Sequence, residues 1–68
     1  MQHAFSVDEF CRDHGISRGL FYRLIREGRG PAIMKLNRRT LISREAAEEW
    51  RRHIESETAA TAGKAAQL

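Results

Sequence analysis

The chain has 68 residues, with twelve Lys and Arg against nine Asp and Glu, a formal net charge of +3. That length supports one domain with a core too small to enclose a substrate cavity, so activity is expected on the outer surface and no enzymatic site is expected. The single cysteine, Cys11, excludes an internal disulfide, and the absence of a signal-peptide start or a membrane-length apolar run leads to the expectation of a soluble, cytoplasmic protein with no membrane partner.

Ser6-Val7-Asp8-Glu9 is a capping box, in which Ser6 accepts from the first turn and Glu9 reaches back to the cap amide. Phe5 and Phe10 are placed for a hydrophobic staple across that start, and Val7, Phe10 and Cys11 carry the spacing of a buried helical stripe. The first helix is predicted at about 7–13, with Gly15 permitting a left-handed exit. Ile16 should plug the turn, and Ser17 is the next N-cap, so a second helix is predicted over 18–27, ended by Gly28. A turn this short, containing Gly between two short helices, is the helix-turn-helix signature.

Gly30-Pro31 blocks further helix. Two β-prone runs, Ala32 to Leu36 and Thr40 to Ile42, flank the polar tip Asn37-Arg38-Arg39 and read as a hairpin whose register is open, since Leu41 and Ile42 cannot both face inward. Ser43 caps a third helix predicted over about 44–55, with Ala46, Ala47, Trp50 and Ile54 in one arc and Trp50 expected to contribute most to the core. The expected organisation is therefore a domain over 1–55, mainly α with a small β-hairpin wing, and a disordered or frayed tail over 56–68.

The charges are unevenly spread. Residues 29–44 hold Arg29, Lys35, Arg38, Arg39 and Arg44 with no acid, whereas the segments on either side are near balance or acidic. A local field of this sign suits a polyanion. On the second helix, Leu20, Phe21, Leu24 and Ile25 fall on one side, and Arg18, Gly19, Tyr22, Arg23 and Arg26 fall on the other. The second face fits the DNA major groove: Arg reads guanine through O6 and N7, Gly19 admits close backbone approach, and Tyr22 can meet a phosphate or sugar. Ser17 caps the helix end at which a phosphate oxygen can sit. Lys35, Asn37, Arg38 and Arg39 extend the expected contact set to the hairpin, where a basic tip can reach phosphates or a narrow minor groove. Asn37 is a residue that tolerates the left-handed backbone of a tight turn.

The order helix, turn, helix, hairpin, helix resembles the small winged-helix domains of the MerR-like superfamily, and within it the excisionase and AlpA-like phage regulators. The resemblance rests on Ser6-Val7-Asp8-Glu9-Phe10, Gly15-Ile16-Ser17-Arg18, the run Leu20 to Gly28, Pro31-Ala32, Lys35 to Arg39 and Glu49-Trp50, together covering about residues 5–54. It implies that Ser17, Arg18, Tyr22 and Arg23 face DNA from a recognition helix and that Arg38 and Arg39 act from the wing. Asn37 stands where the family often has Gly, Ser43 where Pro often opens the last helix, and one extra residue falls in the first wing strand. No effector-binding part follows the third helix in this sequence, so no small-molecule effector is expected.

No catalytic residue, cofactor or metal is expected. Cys11 and His14 form half of a zinc pattern with no second pair, and Cys11 reads as a small core residue. Asp8, Glu9 and Asp13 do not pair convincingly, and Gly28-Arg29-Gly30 lacks the remainder of a phosphate loop. The expected partner is double-stranded DNA, bound by a chain that is monomeric in solution and cooperative on DNA in some settings. The excisionase reading adds an integrase or another DNA-bound protein. The alternatives are an AlpA-like transcriptional regulator, the DNA-recognition module of a packaging terminase, and a protein-interaction module that docks an acidic partner.

Overall fold

The capping box forms as its residues dictate. Ser6 Oγ accepts from the Glu9 amide at 3.1 Å, and Glu9 Oε1 accepts from the Ser6 amide at 2.9 Å. These bonds open helix α1 (Val7–His14), which ends at Gly15 in the left-handed conformation, φ 66°. Ile16 donates its amide to the Cys11 carbonyl at 3.0 Å, and its side chain packs against the core. Ser17 Oγ then accepts from the Leu20 amide at 3.0 Å and opens helix α2 (Arg18–Arg26), two residues past which Gly28 turns the chain with φ 72°. The turn is thus two helix ends joined by Gly15-Ile16-Ser17, each end satisfied by its own neighbours.

The remaining elements of this computed structural model, which describes residues 3–66, are strands β1 (Ala4–Ser6), β2 (Met34–Leu36) and β3 (Arg39–Ser43) and helix α3 (Arg44–Ala66). The architecture is mainly helical, with a hairpin wing in a three-stranded antiparallel sheet of order β1-β3-β2. The wing register is Met34 with Leu41, Lys35 with Thr40 and Leu36 with Arg39. It leaves a two-residue turn, Asn37-Arg38, with Asn37 at φ 58°. A positive φ at the first turn position matches the twist of a two-residue hairpin, and Asn is among the few residues besides Gly that adopt it. Arg39 belongs to β3 and not to the tip, which shortens the expected loop by one residue.

β1 has no counterpart among the expected elements, because three residues carry no readable alternation. It pairs Phe5 with Ile42 and places β3 at the centre of the sheet. Phe5 therefore packs from a strand on the core that includes Phe10, from the position directly before the N-cap of α1. The same pairing settles which of Leu41 and Ile42 faces inward. Ile42 is fully buried, and Leu41 lies on the opposite face.

The core is Val7, Phe10, Cys11, Phe21, Ile42 and Ala47, with Phe5, Ile16, Ile25, Ile33, Ala46 and Trp50 packed around it. Phe10 and Phe21 meet edge to face at 5.5 Å between ring centroids. The expectation for Trp50 needs correction: it is only half-buried, and the fully buried large side chains are Phe10, Phe21 and Ile42. The reason is its polar edge, since the indole Nε1–H donates to the Arg29 carbonyl at 2.8 Å and holds the ring at the margin. Leu20 also departs from expectation, being 39% exposed.

Ser43 closes β3 and caps α3, its Oγ accepting from the Ala46 amide at 3.0 Å. The helix then runs through Ala66, well past its expected end near 55, so residues 56–66 are helical where a disordered or frayed tail was expected. Two contacts at Glu57 support the extension: His53 Nε2 lies 2.8 Å away on the same helix and Arg29 Nη2 3.1 Å away from the preceding loop. Ala and Glu are strong helix formers that need no apolar periodicity, which is why a search for periodicity passes over them. Residues 67 and 68 of the expected tail lie outside the described residues.

In a domain this small, Phe10→Ala is expected to cost about 3–5 kcal/mol, close to its whole stability. Circular dichroism melts should lose their cooperative transition; a melt like that of the wild type would show that the core is centred elsewhere.

Candidate nucleic-acid interface

The turn geometry fixes what α2 presents. Phe21 is buried against Phe10, while Arg18, Tyr22, Arg23 and Arg26 are all exposed, with Tyr22 one turn from both Arg18 and Arg26. Ser17 stands at the start of that face with its hydroxyl engaged as the cap, leaving the outermost amides of the helix to external acceptors. A Cβ added at Gly19 would meet nothing closer than Ser17 Oγ at 3.9 Å. Folding therefore places no steric demand for glycine there, and the bare backbone on that face is open to solvent.

The three arginines are not equivalent. Arg18 is hydrogen-bonded to the Asp8 carboxylate from the first turn of α1 and lies 5.8 Å above the Tyr22 ring. Its hydrogen bond and charge contact with Asp8 hold the guanidinium above its ordinary pKa, so it is always a cation. Arg23 Nε pairs with Glu27 Oε2 at 3.1 Å, one turn along the helix. Arg26 has no ion pair among the described residues. All these groups are exposed, so the two pairs are weak and exchangeable. Asp8 was missed as a participant because it was read only from its own helix. Its nearness to Arg18 follows from a turn that brings the starts of both helices together.

The basic block at 29–44 divides in two. Arg29 is taken up by Glu57, and Arg44 Nε lies 4.0 Å from Glu48 Oε2. Lys35, Arg38 and Arg39 remain, all exposed and on the wing, together with Asn37. Because paired residues share a face, Lys35 projects with Thr40, to which its Nζ donates at 2.9 Å. Arg39 projects from the other face beside Leu36, and Arg38 sits at the turn. The wing thus carries one cation on each face and one at its tip. Among the described residues no hydrogen bond or ion pair joins this group to the α2 face. The ten expected residues therefore form two basic clusters on separate elements.

Cys11 and His14 both turn inward. Cys11 Sγ lies 3.8 Å from the Ser17 carbonyl, and the His14 ring stacks on Phe10 with centroids 4.1 Å apart. His14 Nδ1 is 2.8 Å from the Phe10 carbonyl oxygen, an acceptor, and Nε2 is 3.0 Å from Arg51 Nη1, a donor. These neighbours call for the tautomer with its hydrogen on Nδ1. No helix of the described residues is long and apolar enough to cross a membrane. Comparisons of the chain with family models, with curated proteins and with solved structures returned no match.

Burial is the largest influence on Cys11 and raises its thiol pKa, with the nearby Arg18 lowering it and Asp8 raising it. Since the thiolate is the reactive form, iodoacetamide should label the folded chain much more slowly at neutral pH than the same chain in denaturant. Equal rates would place Cys11 outside the core.

Proposed function

We propose that the chain is a sequence-specific double-stranded DNA-binding protein that docks α2 in the major groove and braces the wing on the flanking backbone. The observation that carries this reading is the face of α2, where exposed arginines and a tyrosine surround a glycine that folding does not require. An α-helix fits the major groove, and side chains spaced three or four residues apart along one face of it can reach base edges. Arg18 and Arg26 are suited to base readout, Tyr22 and Arg23 to phosphate or sugar. Lys35, Arg38 and Arg39 supply the sequence-independent attraction.

Arg18 reaches a base only by leaving Asp8. The exchange replaces one acceptor by another and disfavours sites that offer no acceptor at that position. This makes Asp8 part of the recognition device without its touching DNA. The resemblance noted above extends the proposal to an excisionase- or AlpA-like role, as an architectural recombination factor working beside an integrase or as a transcriptional regulator in the cytoplasm.

Titration of labelled duplex DNA against salt tests the reading. The logarithm of affinity should fall linearly with the logarithm of salt, by about 0.9 per phosphate contacted. Arg38→Ala should lower that slope by about 1 with little change in sequence preference, and Arg26→Ala should cost about 1–3 kcal/mol on the preferred site and less on competitor DNA. A flat salt dependence, or equal affinity for all duplexes, would contradict the proposal.

Gly19→Ala separates folding from binding. It should hold or raise the melting temperature, since alanine is favoured in helices by up to about 1 kcal/mol over glycine, while weakening DNA binding. Unchanged affinity would take the α2 backbone out of the interface. Asp8→Asn should tighten binding to all duplexes and narrow the gap between preferred and competitor sites; weaker binding would contradict the role given to Asp8.

A further inference from the structure

A groove of about 490 Å³ runs between the loop after α2 and the first turns of α3. Pro31, Ala32, Ala46 and Trp50 supply its apolar lining, and Glu45 and Glu49 its charged rim. None of the ten residues assigned to the DNA interface takes part, so the groove is a second surface.

Three features separate it from an ordinary surface dip. Trp50 is held in place from several sides: its Nε1–H donates to the Arg29 carbonyl, and its ring contacts Phe10 and His14 with centroids 5.4 and 5.8 Å away. An aromatic ring fixed in advance loses little entropy on binding. Next, Glu45 and Glu49 have no ion pair among the described residues, although Asp8, Glu27, Glu48 and Glu57 each have one. They stand one helical turn apart and so share a face. Last, among the described residues no Lys or Arg lines the groove, in a chain whose net charge is +3. An apolar trough with an immobilised indole and two unpaired carboxylates complements a side chain with an aliphatic stem and a cationic end.

We propose that this groove is a docking site for a basic segment of a partner protein. A Lys or Arg of that segment lies over the Trp50 ring with its charge between Glu45 and Glu49, and a neighbouring small apolar residue sits on Pro31, Ala32 and Ala46. Such a site lets the chain hold DNA on one surface and a second protein on another. The carboxylates repel DNA from this face, which keeps the two occupants apart.

The test uses the full chain and a random dodecamer peptide library displayed on phage. Recovered peptides are synthesised and titrated while the emission of Trp50, the only tryptophan present, is followed. The expected result is recovery of sequences with Lys or Arg beside a small apolar residue, which bind and shift the Trp50 emission. Glu45→Lys with Glu49→Lys should weaken them by about tenfold or more, equivalent to at least about 1.4 kcal/mol. Glu45→Gln with Glu49→Gln should weaken them less, and Arg38→Ala should leave them unaffected. Both Glu double variants should retain the wild-type circular dichroism spectrum and should bind duplex DNA at least as well as the wild type. Failure to recover peptides, recovery of acidic ones, or equal binding to the double Lys variant would overturn the proposal. Sedimentation of the chain alone provides the last check: self-association abolished by the double Lys variant would assign the groove to a second copy instead. Apart from the duplex-DNA control, none of these outcomes depends on DNA being the ligand of α2, so the two proposals fail separately.

Discussion

The edge-to-face contact of Phe10 with Phe21 is the constraint on which the molecule depends. It joins α1 to α2 through the only two large aromatic rings that are fully buried among the described residues, and His14, Trp50 and Ile42 are arranged around it. Once Phe21 is committed inward, Gly19, Tyr22, Arg23 and Arg26 lie roughly 100° or more round the helix from it at ~100° per residue, and Arg18 stands at the edge of the buried stripe. The Gly15-Ile16-Ser17 turn sets the angle at which this happens, with glycine supplying the left-handed exit and serine the next cap. A small core thereby determines a surface much larger than itself.

The charged residues divide by what they already hold. Arg29, Arg44 and Arg51 serve the fold, tying loop to helix, turn to turn and helix to the His14 ring. Arg18 and Arg23 are held loosely by exposed acids that a phosphate or a base can replace. Arg26, Arg38 and Arg39 have no acidic partner among the described residues, and they lie on the two elements proposed to meet a duplex. Glu45 and Glu49 are the acidic counterpart on α3. The molecule thus has basic surfaces on α2 and the wing and an acidic groove beside Trp50, and these favour ligands of opposite charge.

Much of this was legible in the residues. The capping box at Ser6, the cap at Ser17, the glycine exit and the 3.6-residue periodicity are local signals, and they located α1 and α2 to within a residue. The wing was legible as two runs and a tip, but its register was not, because register depends on β1, and Ala4-Phe5-Ser6 acquires meaning only when Ile42 is opposite Phe5. Trp50 was overrated since size was taken for depth, whereas an indole N–H must find an acceptor and finds it at the margin. The continuation of α3 was missed because alanine and glutamate sustain a helix without a buried face to announce it. The contacts of Asp8 with Arg18 and of Arg29 with Glu57 join residues distant in sequence, and no local pattern carries them.

The central claim is that the arginine face of α2 reads a duplex. Its most direct test is selection from a random pool of duplexes by the wild-type chain, repeated with Arg18→Ala and Arg26→Ala. The account predicts that the wild type enriches one short sequence containing guanine and that each variant loses preference at a different position within it. Recovery of unrelated sequences by the wild type, or the same sequence by all three proteins, would contradict it.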